Sequence, residues 1–268
     1  MSRAGPRRAG PVLRAAAACG FLLLLAPLVV VVVVSFSAGA FLAFPPPGLS
    51  LRWYAALLAN GDMLAALGTS AVLAAMVAAL SLALGFPAAY AIVRLNFPGR
   101  RLLAGLLVAP LLLPTLVLGL AVLLALQPLG LTATWPGLLI AHLTLAVPFA
   151  VRILATAIGA VPAELEAAAR TLGASPLRVA LRITVPLAAP GALAAAALAF
   201  LVSFDETVLS LFLVGPRLTT LPVELFRYAE RRTDPLVAAL SVLLVLIALA
   251  VVLLVERAAG LTKTLSRE

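Results

Sequence analysis

Apolar runs long enough to cross a bilayer alternate with short polar segments from one end of this chain to the other. Ala15 to Val34 is unbroken and of membrane-spanning length. Met63 to Val93 carries a second such run, and Leu102 to Leu126 a third that contains Pro110 and Pro114. A fourth extends from Trp135 to Ala150 or a little beyond, with Pro148 inside it. Pro190 to Val214 and Leu236 to Val255 complete the set. The pattern predicts an all-α integral membrane protein with six transmembrane helices over residues 15–256, flanked by polar segments 1–14 and 257–268. Prolines within spans break backbone hydrogen bonds that neighbouring helices must make good, so a packed bundle of bent helices is expected. Between the first two spans, Phe41 to Asp62 holds Pro45-Pro46-Pro47 and the pair Trp53-Tyr54, suited to a short helix at the membrane interface. Ala38-Gly39-Ala40 imitates a signal-peptidase site, but the run before it is long for a signal peptide, and an uncleaved first helix is expected.

Composition agrees with the pattern. Of 268 residues 64% are hydrophobic, and the mean hydropathy is +1.20, far outside the range of soluble domains. The net charge of +9 raises the question of nucleic acid, and the placement of the charges answers it. Fourteen of the nineteen Lys and Arg fall on one set of alternate segments: Arg3, Arg7, Arg8, Arg14, Arg94, Arg100, Arg101, Arg152, Arg170, Arg178, Arg182, Arg257, Lys263 and Arg267. The opposite set holds Arg52, Arg217, Arg227, Arg231 and Arg232. This asymmetry is a topology signal that puts both termini in the cytoplasm, and it leaves no basic patch to bind nucleic acid. One cysteine, Cys19, and one histidine, His142, build neither a disulfide framework nor a metal site. Cys19 reads as a small apolar filler. No Gly-x-x-x-x-Gly-Lys-Ser/Thr run occurs, so the usual phosphate-cradling loop for ATP is missing.

One polar segment stands between the fourth and fifth runs, Glu166-Ala-Ala-Ala-Arg-Thr-Leu-Gly173-Ala-Ser-Pro-Leu-Arg-Val-Ala-Leu-Arg-Ile183-Thr-Val-Pro186. It predicts two short helices that break at Gly173, a residue suited to the left-handed turn closing the first. Ser175 reads as the N-cap of the second and Pro176 as its first residue. Glu166 and Arg170, four apart, are expected to pair on an exposed face. Leu177, Ala180, Leu181 and Thr184 fall near one face, with Arg178 and Arg182 on another.

This segment resembles the EAA loop of the membrane subunits of ATP-binding cassette importers. Glu166, Ala167, Ala168, Gly173, Ile183 and Pro186 match the family pattern in spacing, and Val185 stands where Leu is usual. Gly48-Leu-Ser-Leu-Arg-Trp53-Tyr54, Phe97-Pro98-Gly99-Arg100, Pro110 and Leu113-Pro114 are similar to further family segments. Ser203-Phe204-Asp205-Glu206 and Thr220-Leu221-Pro222 resemble the spermidine/putrescine branch, specifically its second, PotC-like permease. Thr69-Ser70 departs from that branch, which commonly has Asn-Ser. The resemblance implies the type I importer permease (MetI-like) fold in a bacterial inner membrane. It also implies a second permease subunit, two cytoplasmic ATP-binding subunits docked on a coupling loop at about 159–190, and a periplasmic or extracellular substrate-binding protein. The chain would then be a transporter subunit without cofactor or enzymatic activity of its own. Polyamine is the substrate this branch implies; sulfate, ferric iron, molybdate and opines travel through related permeases.

Asp205 and Glu206 are the unusual pair, set in an otherwise apolar stretch with Ser203 beside them. If the fifth helix starts near Pro190, Asp205 lies about 22 Å along it, in the outer third of the apolar core. Carboxylates at that depth commonly face a cavity or a partner charge. Three readings stay open: a wet translocation path for cations, a structural pair with Arg217, or a carboxylate reaching the interface. His142 is expected to be a hydrogen-bonded packing residue. An ion-coupled secondary transporter or channel would instead use Asp205, Glu206 and His142 as relay groups, but no internal repeat supports it. Glu224, Glu230 and Asp234 alternate with Arg227, Arg231 and Arg232 and are expected to form a solvated, self-paired surface.

Overall fold

The structure, a computed structural model, describes residues 10–265, most of them helical. Arg3, Arg7, Arg8 and Arg267 lie outside the described residues. The helices in chain order are α1 (Pro11–Ser35), α2 (Arg52–Leu58), α3 (Gly61–Arg94), α4 (Arg100–Val108), α5 (Thr115–Leu126), α6 (Trp135–Gly159), α7 (Ala163–Thr171), α8 (Pro176–Val179), α9 (Val185–Phe204), α10 (Val208–Leu213), α11 (Leu221–Arg231) and α12 (Leu236–Leu265). A π-turn at Ala180–Thr184 joins α8 to α9 without a break. The short interfacial helix expected around Trp53 and Tyr54 is α2.

Five of these stretches are long and apolar enough to cross a membrane: Val12–Ser35, Gly61–Arg94, Trp135–Gly159, Pro176–Phe204 and Leu236–Gly260. The third expected span is not one helix. Arg100–Leu112 and Thr115–Leu129 meet at 108°, and only as one broken crossing do they bring the number to six. The cause is local. Leu113 precedes Pro114 and takes an extended conformation (φ −89°, ψ 139°), because the proline ring excludes the helical region for its predecessor. The fourth span runs on to Gly159, which places Arg152 inside a helix rather than in a loop.

The fifth span also differs from expectation. It starts at Pro176, not Pro190, and ends at Phe204, not Val214. Pro186 and Pro190 are carried within it; the π-turn just before Pro186 is the kind of local adjustment that re-pairs backbone groups near a missing N–H. The helix ends at the polar run Asp205-Glu206-Thr207, where Glu206 turns to the N–H of Leu209 in the next helix. The chain turns before resuming as α10.

The chain forms two compact units. The larger comprises Gly61–Arg227 and the chain from Ile247 on. Its centre is the trio α3, α6 and α9, which pack on one another. One apolar cluster joins Leu73 and Val77 of α3, Leu118 and Val122 of α5, Leu138 and Leu145 of α6, Ala199 of α9, and Leu209 and Leu213 of α10. A second joins Ala89, Ala150, Val151, Leu154, Ile158, Ala188 and Ala195. Alanines dominate the second, as expected where membrane helices approach closely. A side chain on Gly191 would run into Ala157 of α6, so glycine is needed at this crossing.

The smaller unit holds the chain up to Asn60 with Tyr228–Leu246. Here Ser35 Oγ and Tyr54 Oη lie 2.7 Å apart, Trp53 donates to the carbonyl of Gly39, and Arg52 stacks over the Trp53 ring. Tyr228 donates to Asp234 at 2.7 Å; burial, then that bond, pushes its hydroxyl above the usual phenol range. Asp234 is thus spent on Tyr228 and on the N–H of Leu236, and no ion pair links the acids and arginines of this loop among the described residues, contrary to the self-paired surface expected. Cys19 is exposed on α1 and fills no gap.

Candidate functional site

The polar segment folds as its turn residues dictate. Glu164 and Glu166 occupy the first turn of α7, where the helix dipole favours negative charge. Gly173 takes the left-handed conformation (φ +84°). Its N–H bonds the carbonyl of Arg170, and the N–H of Ala174 bonds that of Ala169, both at 3.0 Å, the double closure of a Schellman turn. Ser175 caps α8 by accepting the N–H of Arg178, and Pro176 follows at the first helical position. Leu172 is 88% exposed, Leu177 69% and Leu181 58%. Ala167, Ala168, Gly173 and Pro186 are exposed as well, and Ile183 is half-buried. The apolar face expected over Leu177 to Thr184 does not hold together: Leu177 and Leu181 face outward while Thr184 is buried, with the π-turn between them changing the register.

Glu166 departs from expectation most sharply. It is not on an exposed face: it is 1% exposed and the one buried residue of α7. Its Oε1 accepts from Arg94 Nε at 3.0 Å and from Thr184 Oγ1 at 2.8 Å, and its Oε2 meets Arg170 at 3.2 Å. Arg94, the last residue of α3, also donates Nη2 to the carbonyls of Ile158 and Val161, at 2.9 and 2.6 Å. The partners Arg94 and Thr184 went unnoticed in the sequence. Arg94 lies 72 positions away and had a complete explanation as a topology marker.

At the break after α9 the two carboxylates have different duties. Glu206 Oε1 accepts the N–H of Leu209 at 2.8 Å and so caps α10. Asp205 is exposed and makes no side-chain hydrogen bond or ion pair among the described residues, so the structural pair with Arg217 is not present. They stand at a helix end, not on consecutive positions of one helix wall.

Ser203 is buried beside them and lies 2.8 Å from Nδ1 of His142, whose Nε2 lies 3.0 Å from Ser210 Oγ. Ser210 donates its single proton to the carbonyl of Glu206. With that proton engaged, Ser210 offers its oxygen to Nε2–H. His142 is 1% exposed and has a hydrogen-bond partner at each ring nitrogen, the packing residue expected. Two open clefts flank α6, of about 650 Å³ against α9 and about 410 Å³ toward α4. Arg152 and Thr156 line both, and neither carboxylate lines either.

Comparison with known proteins agrees with this architecture. The family described as binding-protein-dependent transport system inner membrane component matches residues 81–261, a range that contains the polar segment and the helix break. The putrescine transport system permease protein PotI of Escherichia coli (strain K12) is 34% identical over 232 residues, 84% of this chain and 82% of that protein. The spermidine/putrescine transport system permease protein PotC of the same organism is 28% identical over 233 residues, 87% of this chain and 88% of its own. Among solved structures, a bacterial ABC transporter involved in the import of the acidic polysaccharide alginate superposes with a TM-score of 0.74 over 96% of this chain and 98% of that one. At 17% identity that likeness speaks to the fold alone. The chain belongs to the binding-protein-dependent transport inner-membrane components: it is a membrane-spanning permease subunit of an ATP-binding cassette importer, with the type I (MetI-like) permease fold and ATP hydrolysis left to a separate subunit.

Proposed function

We propose that this permease imports a polyamine such as putrescine or spermidine, delivered by an extracytoplasmic binding protein. Two cytoplasmic ATP-binding subunits drive it through the segment at about 159–190, and a second, different permease completes the path. The observation that carries the coupling is the exposure of three leucines, Leu172, Leu177 and Leu181, on either side of a turn closed by a left-handed glycine. Exposed leucines beside the polar turn at the start of the fifth span suit a groove on a partner protein. The matched positions Glu166, Ala167, Ala168, Gly173, Ile183 and Pro186 all fall in this segment. ATP closes the ATPase pair, the docked helices move, and the bundle opens outward.

The substrate class is supported by the relatives' own substrates and by Asp205. An exposed, unpaired carboxylate at the break after α9, within the motif Ser203 to Glu206, favours a cation in transit and opposes an anion. The proposal is tested by uptake of radiolabelled putrescine and spermidine into proteoliposomes holding the whole complex, with sulfate as contrast. Uptake of either polyamine but not sulfate is expected; a complex that carries sulfate and neither polyamine ends the cation reading. Orientation is part of the same proposal: both termini, the connection at 94–101 and the polar segment between the fourth and fifth spans face the cytoplasm.

A further inference from the structure

Only one side chain fastens α7 inward. Every other residue of that helix is exposed or half-exposed, and Glu166 alone is buried. The far end of α7 is the Gly173 turn, which is open to solvent. A displacement of α7 therefore reaches the bundle along the backbone at Ala160–Pro162, through the Gly173 turn into α8 and the α9 span, and through the carboxylate of Glu166, the one of these that reaches α3. That carboxylate ends on the guanidinium of Arg94, which is 12% exposed, and on the hydroxyl of Thr184. The same guanidinium holds the carbonyls of Ile158 and Val161 at the end of α6. One ion pair thus ties four elements: the last residue of α3, the end of α6, α7, and the π-turn that starts the α9 span.

Holding these elements together needs no charge. Taking two ions out of water is costly, and an apolar cluster of the same volume commonly stabilises as well or better. A guanidinium differs from such a cluster in direction. Its donors form a rigid planar fork, so it fixes the angle between the groups it joins as well as their proximity.

We propose that Arg94 is a positioning residue for coupling: through Glu166 it makes α7 move as one body with the cytoplasmic ends of α3 and α6, so that motion at the exposed segment becomes motion of the spans. This rests on the reading of residues 159–190 as the ATPase-facing segment. Arg94 touches neither substrate nor ATPase; it acts through Glu166.

The test uses the complete importer, purified with its ATPase and reconstituted with its binding protein. The readout is ATP hydrolysed per putrescine imported. Arg94→Gln is expected to retain the ATPase and to raise that ratio about tenfold, the scale on which residues along a coupling path act. Arg94→Lys keeps the charge without the fork and is expected to fall between Gln and the parent. Because both residues lie on one path, Arg94→Gln with Glu166→Gln is expected to be no worse than the more severe single change. A ratio unchanged in Arg94→Gln, with uptake and hydrolysis falling together, would mean that the pair is only structural and overturns the proposal. Losses that multiply in the double variant overturn it too. Should Arg94→Gln fail to assemble, Thr184→Val removes one bond to Glu166 without stranding a charge; it is expected to shift the ratio about two- to threefold, and no shift counts against the proposal. A parent complex without putrescine uptake fails the substrate reading alone, and coupling is then read as stimulation of hydrolysis by the binding protein.

Discussion

At the scale of single residues, the sequence motif Ser203-Phe-Asp-Glu hides a division of labour. Glu206 caps α10 and Asp205 is free, so the two carboxylates should respond differently to neutralisation. Asp205→Asn is expected to slow polyamine uptake severalfold with no loss of thermal stability. Glu206→Gln keeps an oxygen that accepts the N–H of Leu209 and should leave stability near the parent, whereas Glu206→Ala should cost about 1 kcal/mol, the usual worth of a cap. Equal uptake in Asp205→Asn and the parent would remove Asp205 from the path. Replacing His142 with Leu leaves the buried Ser203 hydroxyl without its ring partner, while Ser210 keeps the Glu206 carbonyl. The expected cost is about 1–3 kcal/mol in thermal unfolding of the detergent-solubilised protein, and His142→Gln should recover part of it because an amide offers both a donor and an acceptor. Unaltered stability in the Leu variant would show that the ring is not holding the break.

At the scale of elements, local signals decided what was legible. Gly173, Ser175 and Pro176 dictate turn, cap and helix start through interactions within a few residues, and each reads straight from the sequence. The left-handed Gly173 gives a sharp expectation. A side chain there costs about 1–2 kcal/mol of backbone strain, with nothing nearby to clash with, so Gly173→Val should disturb the turn and not the bundle. Less ATPase should co-purify, or substrate-stimulated hydrolysis should fall, while membrane insertion stays intact; normal coupled uptake would show that this segment does not transmit. The misplacements have a shared cause. Glu166 looked exposed because its i+4 partner Arg170 accounted for its charge, and nothing local announces Arg94 or Thr184. Asp205 looked mid-helix because an apolar run from Pro190 to Val214 hides a break at three polar residues. Pro110 and Pro114 did announce a disturbance, but a proline signals a bend without fixing its angle, and 108° is far beyond a kink.

At the scale of the whole molecule, the bent pair decides on which side of the membrane everything after it lies. As one broken crossing, Arg100–Leu129 brings the number of crossings to six and returns both termini to one side. As a re-entrant loop it leaves five, and the polar segment, the α9 break and the C-terminus all change sides. The charges discriminate between these. With six crossings, Arg94, Arg100, Arg101, Arg170, Arg178, Arg182 and Arg257 share the cytoplasmic face, and the uncharged turn at Gln127 to Pro136 lies outside; counting Arg152 within α6 leaves that asymmetry in place. With five, the arginines of the polar segment would face outward, against the same bias. Single cysteines in a Cys19→Ala background read the difference directly. Gly61, Leu129 and Arg217 are all exposed and serve as outside probes; Thr219 does not, because its hydroxyl is buried. A membrane-impermeant maleimide added to sealed cells should label cysteine at Gly61, Leu129 and Arg217 and should miss cysteine at Ala174 until the membrane is opened. Labelling at Ala174 with protection at Leu129 would make the bent pair re-entrant and would put the exposed leucines of the polar segment out of reach of any cytoplasmic ATPase.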